Sequence, residues 1–121
     1  MPRYGHPVFE HLLSDFTPSE AWGTYAGKQW YFYARWNGWA FAMNDAGMSD
    51  PGAVLDVQRT AAEDRQQFFP AQLIRDWEQS FVVVDDHYGD GGFAASYMPE
   101  ADMRRLINAC IDRFKAPESE A

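Results

Sequence analysis

The alternation of apolar and polar positions is clearest in residues 29–44, on either side of the dipeptide Asn37-Gly38. Asn-Gly favours a two-residue hairpin turn, because both central positions of a type I′ turn need a positive φ. Such a turn pairs Trp36 with Trp39, and cross-strand partners share a face of the hairpin. One face is then wholly apolar and comprises Trp30, Phe32, Ala34, Trp36, Trp39, Phe41 and Met43. The other face comprises Tyr31, Tyr33, Arg35, Ala40, Ala42 and Asn44.

A second hairpin is predicted over residues 81–98. Residues 81–85 are apolar and largely β-branched on both faces, which is typical of an interior strand. Residues 87–92 contain three glycines and predict a turn, and residues 93–98 are predicted to return as the next strand. Shorter strands are predicted over residues 21–26 and over residues 54–58, the latter after an Asp50-Pro51-Gly52 turn.

Three helical regions are predicted from apolar residues at i, i+3 and i+4 spacing. The first covers residues 7–15, where Pro7 suits a first helical position, and residues 17–20 have the form of a capping box that opens a further turn. The second covers residues 61–79 and is interrupted at Pro70. The third covers residues 99–115. Its predicted buried side comprises Met103, Leu106, Ile107, Cys110 and Phe114.

These elements predict an α+β fold in a single domain. The predicted sheet is antiparallel and has four or five strands, which come from the two β-hairpins. The apolar face of the first hairpin is expected to pack against one or more helices. A chain of 121 residues fits one domain, so residues 1–116 are predicted to form that domain and residues 117–121 a loose C-terminal tail.

Negative charge is concentrated in one part of the chain. The formal net charge is −8, and residues 76–103 hold seven acidic residues without a lysine or arginine. Direct nucleic-acid binding normally requires the opposite sign of charge, so the composition argues against it. A basic protein partner suits this charge, and so does solubility alone.

Few residues carry recognisable chemistry. The sequence has no P-loop, no Gly-x-Ser-x-Gly and no His-Glu-x-x-His motif, and we therefore predict neither an enzyme nor a cofactor. Cys110 is the one cysteine, which excludes an internal disulfide, and it is expected to pack as a small hydrophobic residue. Asp86, His87 and Asp90 leave an irregular metal site open, against the simpler interpretation of a solvated hairpin tip.

The expected location is the cytoplasm. No apolar run approaches the roughly 18 residues needed to cross a bilayer, and the N-terminal residues lack the apolar core of a signal peptide. A single cysteine also fits a reducing compartment.

Two regions are candidates for contact with a partner. Tyr31, Tyr33 and Arg35 oppose alanines across the first hairpin; either a helix covers those alanines while the tyrosine hydroxyls reach water, or the three residues form a binding surface. The acidic stretch either keeps the protein soluble or steers a basic partner towards it. Its members are Asp76, Glu78, Asp85, Asp86, Asp90, Glu100 and Asp102.

The predicted function is that of a non-enzymatic protein-binding module that occludes a basic surface. In size, charge and lack of motifs the chain resembles phage-encoded inhibitors of nucleic-acid enzymes, including anti-CRISPR proteins and DNA mimics, and immunity proteins that neutralise basic toxin nucleases. This resemblance involves no aligned residues. One alternative is a small-molecule binding domain, whose pocket lies between sheet and helices and is lined by Trp22, Trp30, Trp36 and Trp39. Another is a structural subunit of a larger assembly.

Overall fold

Five strands form one antiparallel sheet in which each strand pairs with its neighbours in sequence. The computed structural model describes residues 6–14, 19–86, 88 and 94–119. The strands are β1 (Val8–Leu13), β2 (Ser19–Tyr25), β3 (Lys28–Arg35), β4 (Gly38–Asp45) and β5 (Phe81–Asp85). The helices are α1 (Pro51–Arg59), α2 (Arg65–Phe68), α3 (Ala71–Glu78) and α4 (Glu100–Ser119), with short 3-10 turns at residues 62–64 and 94–97. The predicted α+β class and antiparallel sheet are therefore confirmed.

The hairpin of β3 and β4 has the two predicted faces, but its turn lies one residue earlier than predicted. Arg35 pairs with Gly38, so the turn residues are Trp36 and Asn37. The pairing is shifted by two residues from the prediction, and because side chains alternate with a period of two, the strand residues keep their faces. Trp36 alone leaves the predicted apolar face, since it lies in the turn with a φ of 59° and is 54% exposed.

Gly38 accounts for the position of this turn. It begins β4 beside the end of β5, where a Cβ atom would lie 3.0 Å from Oδ1 of Asp86 and 3.1 Å from the carbonyl oxygen of Asp85. Because glycine has no Cβ, β4 and β5 can approach each other closely at this position. Gly38 is not one of the two turn residues, so its ability to adopt a positive φ is not needed there.

The apolar face of the sheet packs against α4 and forms the main core. Trp30, Phe32 and Phe41 are at most 1% exposed there. From the helix the core contains Met103, Ile107, Cys110 and Ile111, with Leu106 and Phe114 partly buried at its margin. The predicted buried side of the last helix is thus confirmed, and Ile111 extends it. The helix itself continues to Ser119, beyond the predicted end at residue 115.

The predicted helix over residues 7–15 is wrong, because this segment contains the edge strand β1. A β-bulge between Phe9 and His11 shifts the register against β2, and the bulge explains the misleading pattern. It places Phe9 and Leu12, three residues apart, on the same core-facing side, and a spacing of three is what an amphipathic helix also shows.

The predicted helical turn at residues 17–20 is also wrong where it is described, since Ser19 and Glu20 begin β2; residues 17 and 18 lie outside the described residues. The short strand predicted over residues 21–26 is confirmed as part of β2.

Residues 51–59 form a helix, so the predicted turn at Asp50-Pro51-Gly52 and the strand over residues 54–58 are wrong. Asp50 is the N-cap, and its side chain accepts a hydrogen bond of 2.9 Å from the backbone N–H of Gly52. Pro51 then occupies the first turn, where its missing N–H costs nothing. The same residues that suit a turn therefore also begin a helix. The helical region over 61–79 is confirmed in α2 and α3, which are separated near Pro70 as predicted.

The second predicted hairpin is confirmed only in its first strand. β5 is present, but it forms the edge of the sheet beside β4 and not an interior strand. Both of its faces make apolar contacts at the start of the strand: Phe81 contacts Phe114 of α4 at 5.4 Å between ring centroids, and Val82 packs against the cluster under α1 and α3. Residues 94–97 form a 3-10 turn instead of a strand; Ala95 is buried in the core and its N–H donates to the carbonyl of Trp36. Within the described part of the chain, no helix is long and apolar enough to span a membrane.

Candidate functional site

The face of the sheet that points away from α4 is only half covered by helices. α1 and α3 lie over the β4–β5 half, where Ala40 and Ala42 pack against Val54 and Leu55 of α1. The expectation that a helix covers these two alanines is confirmed. The β1–β3 half carries large side chains and remains accessible, with Trp22 38% exposed.

An aromatic row runs across this accessible half, formed by His11, Trp22, Tyr31 and Tyr33. His11 stacks on Trp22 with 4.0 Å between ring centroids. Trp22 lies 6.1 Å from Tyr31, and Tyr31 lies 6.4 Å from Tyr33, all with interplanar angles of 16–22°. The rings come from three neighbouring strands at matching register positions, because Trp22 pairs with both His11 and Tyr31.

Glu20 lies against this row and bonds to it. The hydroxyl of Tyr31 donates to the carboxylate of Glu20 at 2.9 Å, an acceptor within the protein that was not predicted from the sequence. The other carboxylate oxygen lies 3.3 Å from Nε2 of His11. Burial, and then the hydrogen bond to Glu20, raise the pKa of Tyr31 well above its ordinary value. Glu20 therefore places a negative charge on the aromatic row.

A groove of about 360 Å³ separates the aromatic row from α1. We call it the aromatic–acidic groove. Its aromatic wall is formed by Trp22, Tyr31 and Tyr33, and its charged groups are Glu20, Asp50, Asp56 and Arg59. Arg59 closes one end, where its guanidinium lies 4.9 Å from the ring centroid of Tyr33 and donates to Asp56 at 2.8 Å. Among the described residues, no lysine or arginine pairs with Glu20 or Asp50, so three carboxylates face one guanidinium and the groove as a whole is negative.

Ionisation of these tyrosines is expected to lower the stability of the protein at alkaline pH. The pKa values of Tyr31 and Tyr88 are both raised, first by burial, and that of Tyr88 reaches about 12. An unfolded tyrosine ionises near pH 10, about the ordinary value. The stabilisation is therefore complete below about pH 10 and is lost as the pH rises towards the folded-state pKa values. We expect the free energy of unfolding, measured in urea, to decline less steeply between about pH 9 and pH 11 in Tyr31→Phe than in the wild type.

The control for this measurement is Tyr97→Phe, because Tyr97 is 59% exposed. This variant should retain the wild-type slope. Identical slopes in Tyr31→Phe and Tyr97→Phe would contradict a stabilising role for the neutral form of Tyr31.

The described acidic residues of the stretch 76–103 differ in burial and in their partners. Asp76 is buried, and its carboxylate accepts from the backbone N–H and the hydroxyl of Ser49 at 2.9 Å and 2.6 Å and from Gln72 at 2.9 Å. The hydrogen bonds from Ser49 lower the pKa of Asp76. Its role is to hold the loop after β4 against α3, and it is not available to a partner.

The other predicted acidic contacts are dispersed. Glu100 pairs with Arg104 at 2.8 Å along α4. Asp102 lies 3.4 Å from a guanidinium nitrogen of Arg105 and accepts a hydrogen bond from the hydroxyl of Tyr88. Local cations therefore offset both charges.

Glu78 lies at one end of β5, and Asp85 and Asp86 lie at the other end. Glu78 ends α3 just before β5 begins, whereas Asp85 and Asp86 lie at the other end of that strand. Strand residues rise by roughly 3.3 Å each, so the strand length separates these charges. Asp90 lies outside the described residues.

Metal and thiol chemistry receive no support from the described residues. In residues 6–14, 19–86, 88 and 94–119, no three His, Cys, Asp or Glu side chains lie close enough to hold a metal ion. The hypothesis of a site at Asp86, His87 and Asp90 depends on residues 87 and 90, which are not described. Cys110 is 1% exposed, and burial raises the pKa of its thiol to about 12, which suits the predicted packing role.

The four tryptophans predicted to line one pocket belong to separate cavities. Trp22 and Trp30 border a cavity beside β2, whereas Trp36 and Trp39 border another at the turn between β3 and β4. Trp30 and Trp39 are largely buried in the core, 1% and 7% exposed. A single pocket lined by all four is therefore wrong.

Sequence reasoning missed most of the residues of the groove. Of its charged groups and rings, Tyr31 and Tyr33 were expected to contact a partner, and Trp22 was expected only to line a small-molecule pocket. A signal for Glu20 and Trp22 was present, because residues 19–23 alternate small and large side chains with the period of a strand. Extending that alternation to Glu20 and Trp22 places both on the face of Tyr31.

Comparison with known proteins adds no relative that assigns a role to this groove. No family model, curated protein or solved structure matches the chain. The chemistry of the groove is therefore inferred from its own residues.

Proposed function

We propose that this protein is a non-enzymatic protein-binding module for a basic partner, and that the aromatic–acidic groove receives a lysine or arginine side chain of that partner. The observation that carries the proposal is the combination of three accessible aromatic rings with the carboxylates of Glu20 and Asp50 in one groove. A cation in such a groove is attracted both by the ring faces and by the negative charges.

The fold itself contains an example of this contact. The guanidinium of Arg59 lies over Tyr33 and is paired with Asp56, which is the same pairing of ring and carboxylate. A partner cation between Trp22 and Tyr31 would repeat that arrangement with Glu20 as the acid. Tyrosine and tryptophan are also the side chains most often found at the energetic centre of protein interfaces.

The overall charge supports a basic partner over an acidic one. A net charge of −8 attracts a positively charged protein over distances of about 8–10 Å at physiological salt. Occlusion of a basic surface is how inhibitors of nucleic-acid enzymes and immunity proteins act, the classes that the composition predicts. Steering of a basic partner by Asp85, Asp86 and Asp90 remains a prediction.

The proposal is tested by removing two groove charges without removing their hydrogen bonds. Glu20→Gln leaves an acceptor for Tyr31, and Asp50→Asn keeps an effective N-cap on α1. The matched control is Glu63→Gln with Asp112→Asn, at two exposed positions that do not line the groove. Both double variants have the same net charge, so they differ only in where the charge is removed.

Each protein is used to capture binding proteins from an extract of its native host, and the affinity for the captured protein is measured at about 50 and 300 mM salt. We expect the groove variant to bind at least about tenfold more weakly than the control at low salt. Equal affinities for the two variants, an affinity that does not fall with salt, or no captured protein would refute the proposal.

A further inference from the structure

A second cavity, of about 430 Å³, lies on the other side of Arg59 from the aromatic–acidic groove. It is bounded by the turn between β3 and β4, by the C-terminal end of α1 and by the end of β5. We call it the turn pocket. The side chains that matter here are Tyr33, Arg35, Trp36, Gln58, Arg59 and Asp86. Its volume is within the range that holds small organic ligands.

The turn pocket contains two cations, in contrast to the negative groove beside it. The guanidinium of Arg35 lies 4.7 Å from the ring of Trp36, and that of Arg59 lies 4.9 Å from the ring of Tyr33. Among the described residues, Arg35 has no ion pair, whereas Arg59 is paired with Asp56. Stacking on a ring restricts the orientation of each guanidinium group. The side chain therefore loses less conformational entropy when it binds a ligand.

Tyr33 lines the same pocket as both cations. Burial raises the pKa of its hydroxyl, whereas the positive charges of Arg59 and Arg35 lower it. The phenolic oxygen of Tyr33 therefore lies within the field of both guanidinium groups. An oxyanion in the turn pocket would be stabilised by the same two charges.

Trp36 provides a second, independent observation. It has a φ of 59°, a left-handed backbone conformation that is costly for a bulky residue. The surrounding backbone holds it there, since the carbonyl of Trp36 accepts from the N–H of Ala95 and the carbonyl of Asn37 accepts from Tyr88 at 2.8 Å. The result is an exposed indole at the mouth of the pocket, and strain that a fold maintains in this way is common at binding sites.

We propose that the turn pocket binds a small organic carboxylate, with its carboxylate group on Arg35 and Arg59 and its apolar part against Trp36 and Val84. Asp86 also lines the pocket, and its negative charge favours a ligand with one negative charge over one with two. Val84 is 45% exposed and supplies an apolar surface facing the same space. This site is distinct from the groove and goes beyond the proposed function.

The ligand class is tested by titrating the full chain with four related probes and observing the side-chain nitrogen signals of arginine and tryptophan by NMR. The probes are benzoate, phenyl phosphate, benzyl alcohol and benzylamine. We expect saturable binding of benzoate with shifts of the Arg35, Arg59 and Trp36 signals, and binding at least about tenfold weaker for the alcohol and the amine. No saturation by benzoate up to about 20 mM, or tighter binding of phenyl phosphate, would overturn the proposal.

The position of the site is tested with Arg35→Gln, which should weaken benzoate binding at least about tenfold. Arg104→Gln is the matched control, because Arg104, like Arg35, lies over an aromatic ring, at 4.5 Å from the ring centroid of Phe9. Should Arg35→Gln not fold, Arg35→Lys retains the charge without the planar donor pair and should still bind more weakly than the Arg104 variant.

Equal benzoate affinities in the Arg35 and Arg104 variants would overturn the site. The groove variant with Glu20→Gln and Asp50→Asn should retain wild-type benzoate binding. Failure of the turn pocket and failure of the groove are thereby distinguished, because each has its own variant and its own probe.

Discussion

Replacing Trp30 with alanine is expected to lower the free energy of unfolding by about 3–5 kcal/mol. Trp30 is 1% exposed; its ring packs edge-on against Phe9, with 5.0 Å between centroids, and stacks on Phe41, with 6.1 Å between centroids. Its indole N–H also donates to the carbonyl of Thr24 at 3.1 Å, so the substitution removes a hydrogen bond along with the buried ring. Since small domains are stable by about 5–15 kcal/mol, this is a large share of the total.

The matched control is Trp36→Ala in the same hairpin. Trp36 is 54% exposed in the turn, and its removal should cost less than about 1 kcal/mol. Urea denaturation of both variants measures the difference. The pair also tests the register, because the pairing predicted from Asn37-Gly38 would bury Trp36 on the apolar face together with Trp30. Similar losses for both variants would therefore contradict the observed pairing.

Gly23→Ala is expected to lower the free energy of unfolding by about 2–3 kcal/mol, at the upper end of the usual cost of overpacking. A Cβ at this position would lie 1.8 Å from the carbonyl oxygen of Val8 and 2.9 Å from its carbonyl carbon. Both are backbone atoms, so no side-chain rotation relieves the clash. β1 would have to move away from β2, and His11 would lose its stacking partner Trp22.

Hydrogen exchange of the β1 amides would show this displacement directly, since we expect faster exchange there than in β3 and β4. Gly52→Ala provides the control: its Cβ would have neighbours at 3.5–3.8 Å, an ordinary contact distance, within α1. Alanine should be neutral there or stabilise the protein by up to about 1 kcal/mol, because glycine is unfavourable inside a helix. Equal effects of the two substitutions would contradict the close packing of β1 on Gly23.

The groove and the turn pocket are separated by the contact between Tyr33 and Arg59. On one side lie the carboxylates of Glu20 and Asp50, and on the other lie the guanidinium of Arg35 and the carboxylate of Asp86. The sign of the local charge therefore changes along α1 over a short distance. A net charge, however large, does not reveal such a change, because it depends on which strands bring which side chains together.

The predictions of this fold were wrong where one local sequence pattern is compatible with two kinds of secondary structure. Asp50 and Pro51 suit both a β-turn and the start of a helix, and the helix forms because Val54 and Leu55 can then be buried over the alanines of β4. The bulge in β1 gives a strand the spacing of a helix. In both cases the deciding energy is burial against residues that are distant in sequence.

The candidate site was partly within reach of sequence reasoning. Tyr31 and Tyr33 were predicted on one face with a helix over the opposing alanines, because the period of two in a strand is local and survives a shift of the turn. The partners of those tyrosines were not predicted, since Glu20 and Trp22 join them only through the pairing of β2 with β3.

By itself the sequence determined the class of fold, the unlike faces of the β3–β4 hairpin and the buried side of α4, because each follows from the repeat of apolar positions along one element. Only the tertiary structure decided which acids are available. It buries Asp76 as a hydrogen-bond acceptor, offsets Glu100 with Arg104, and brings Glu20 to the aromatic row. Charge counts along a chain ignore distance, whereas electrostatic energy depends on it.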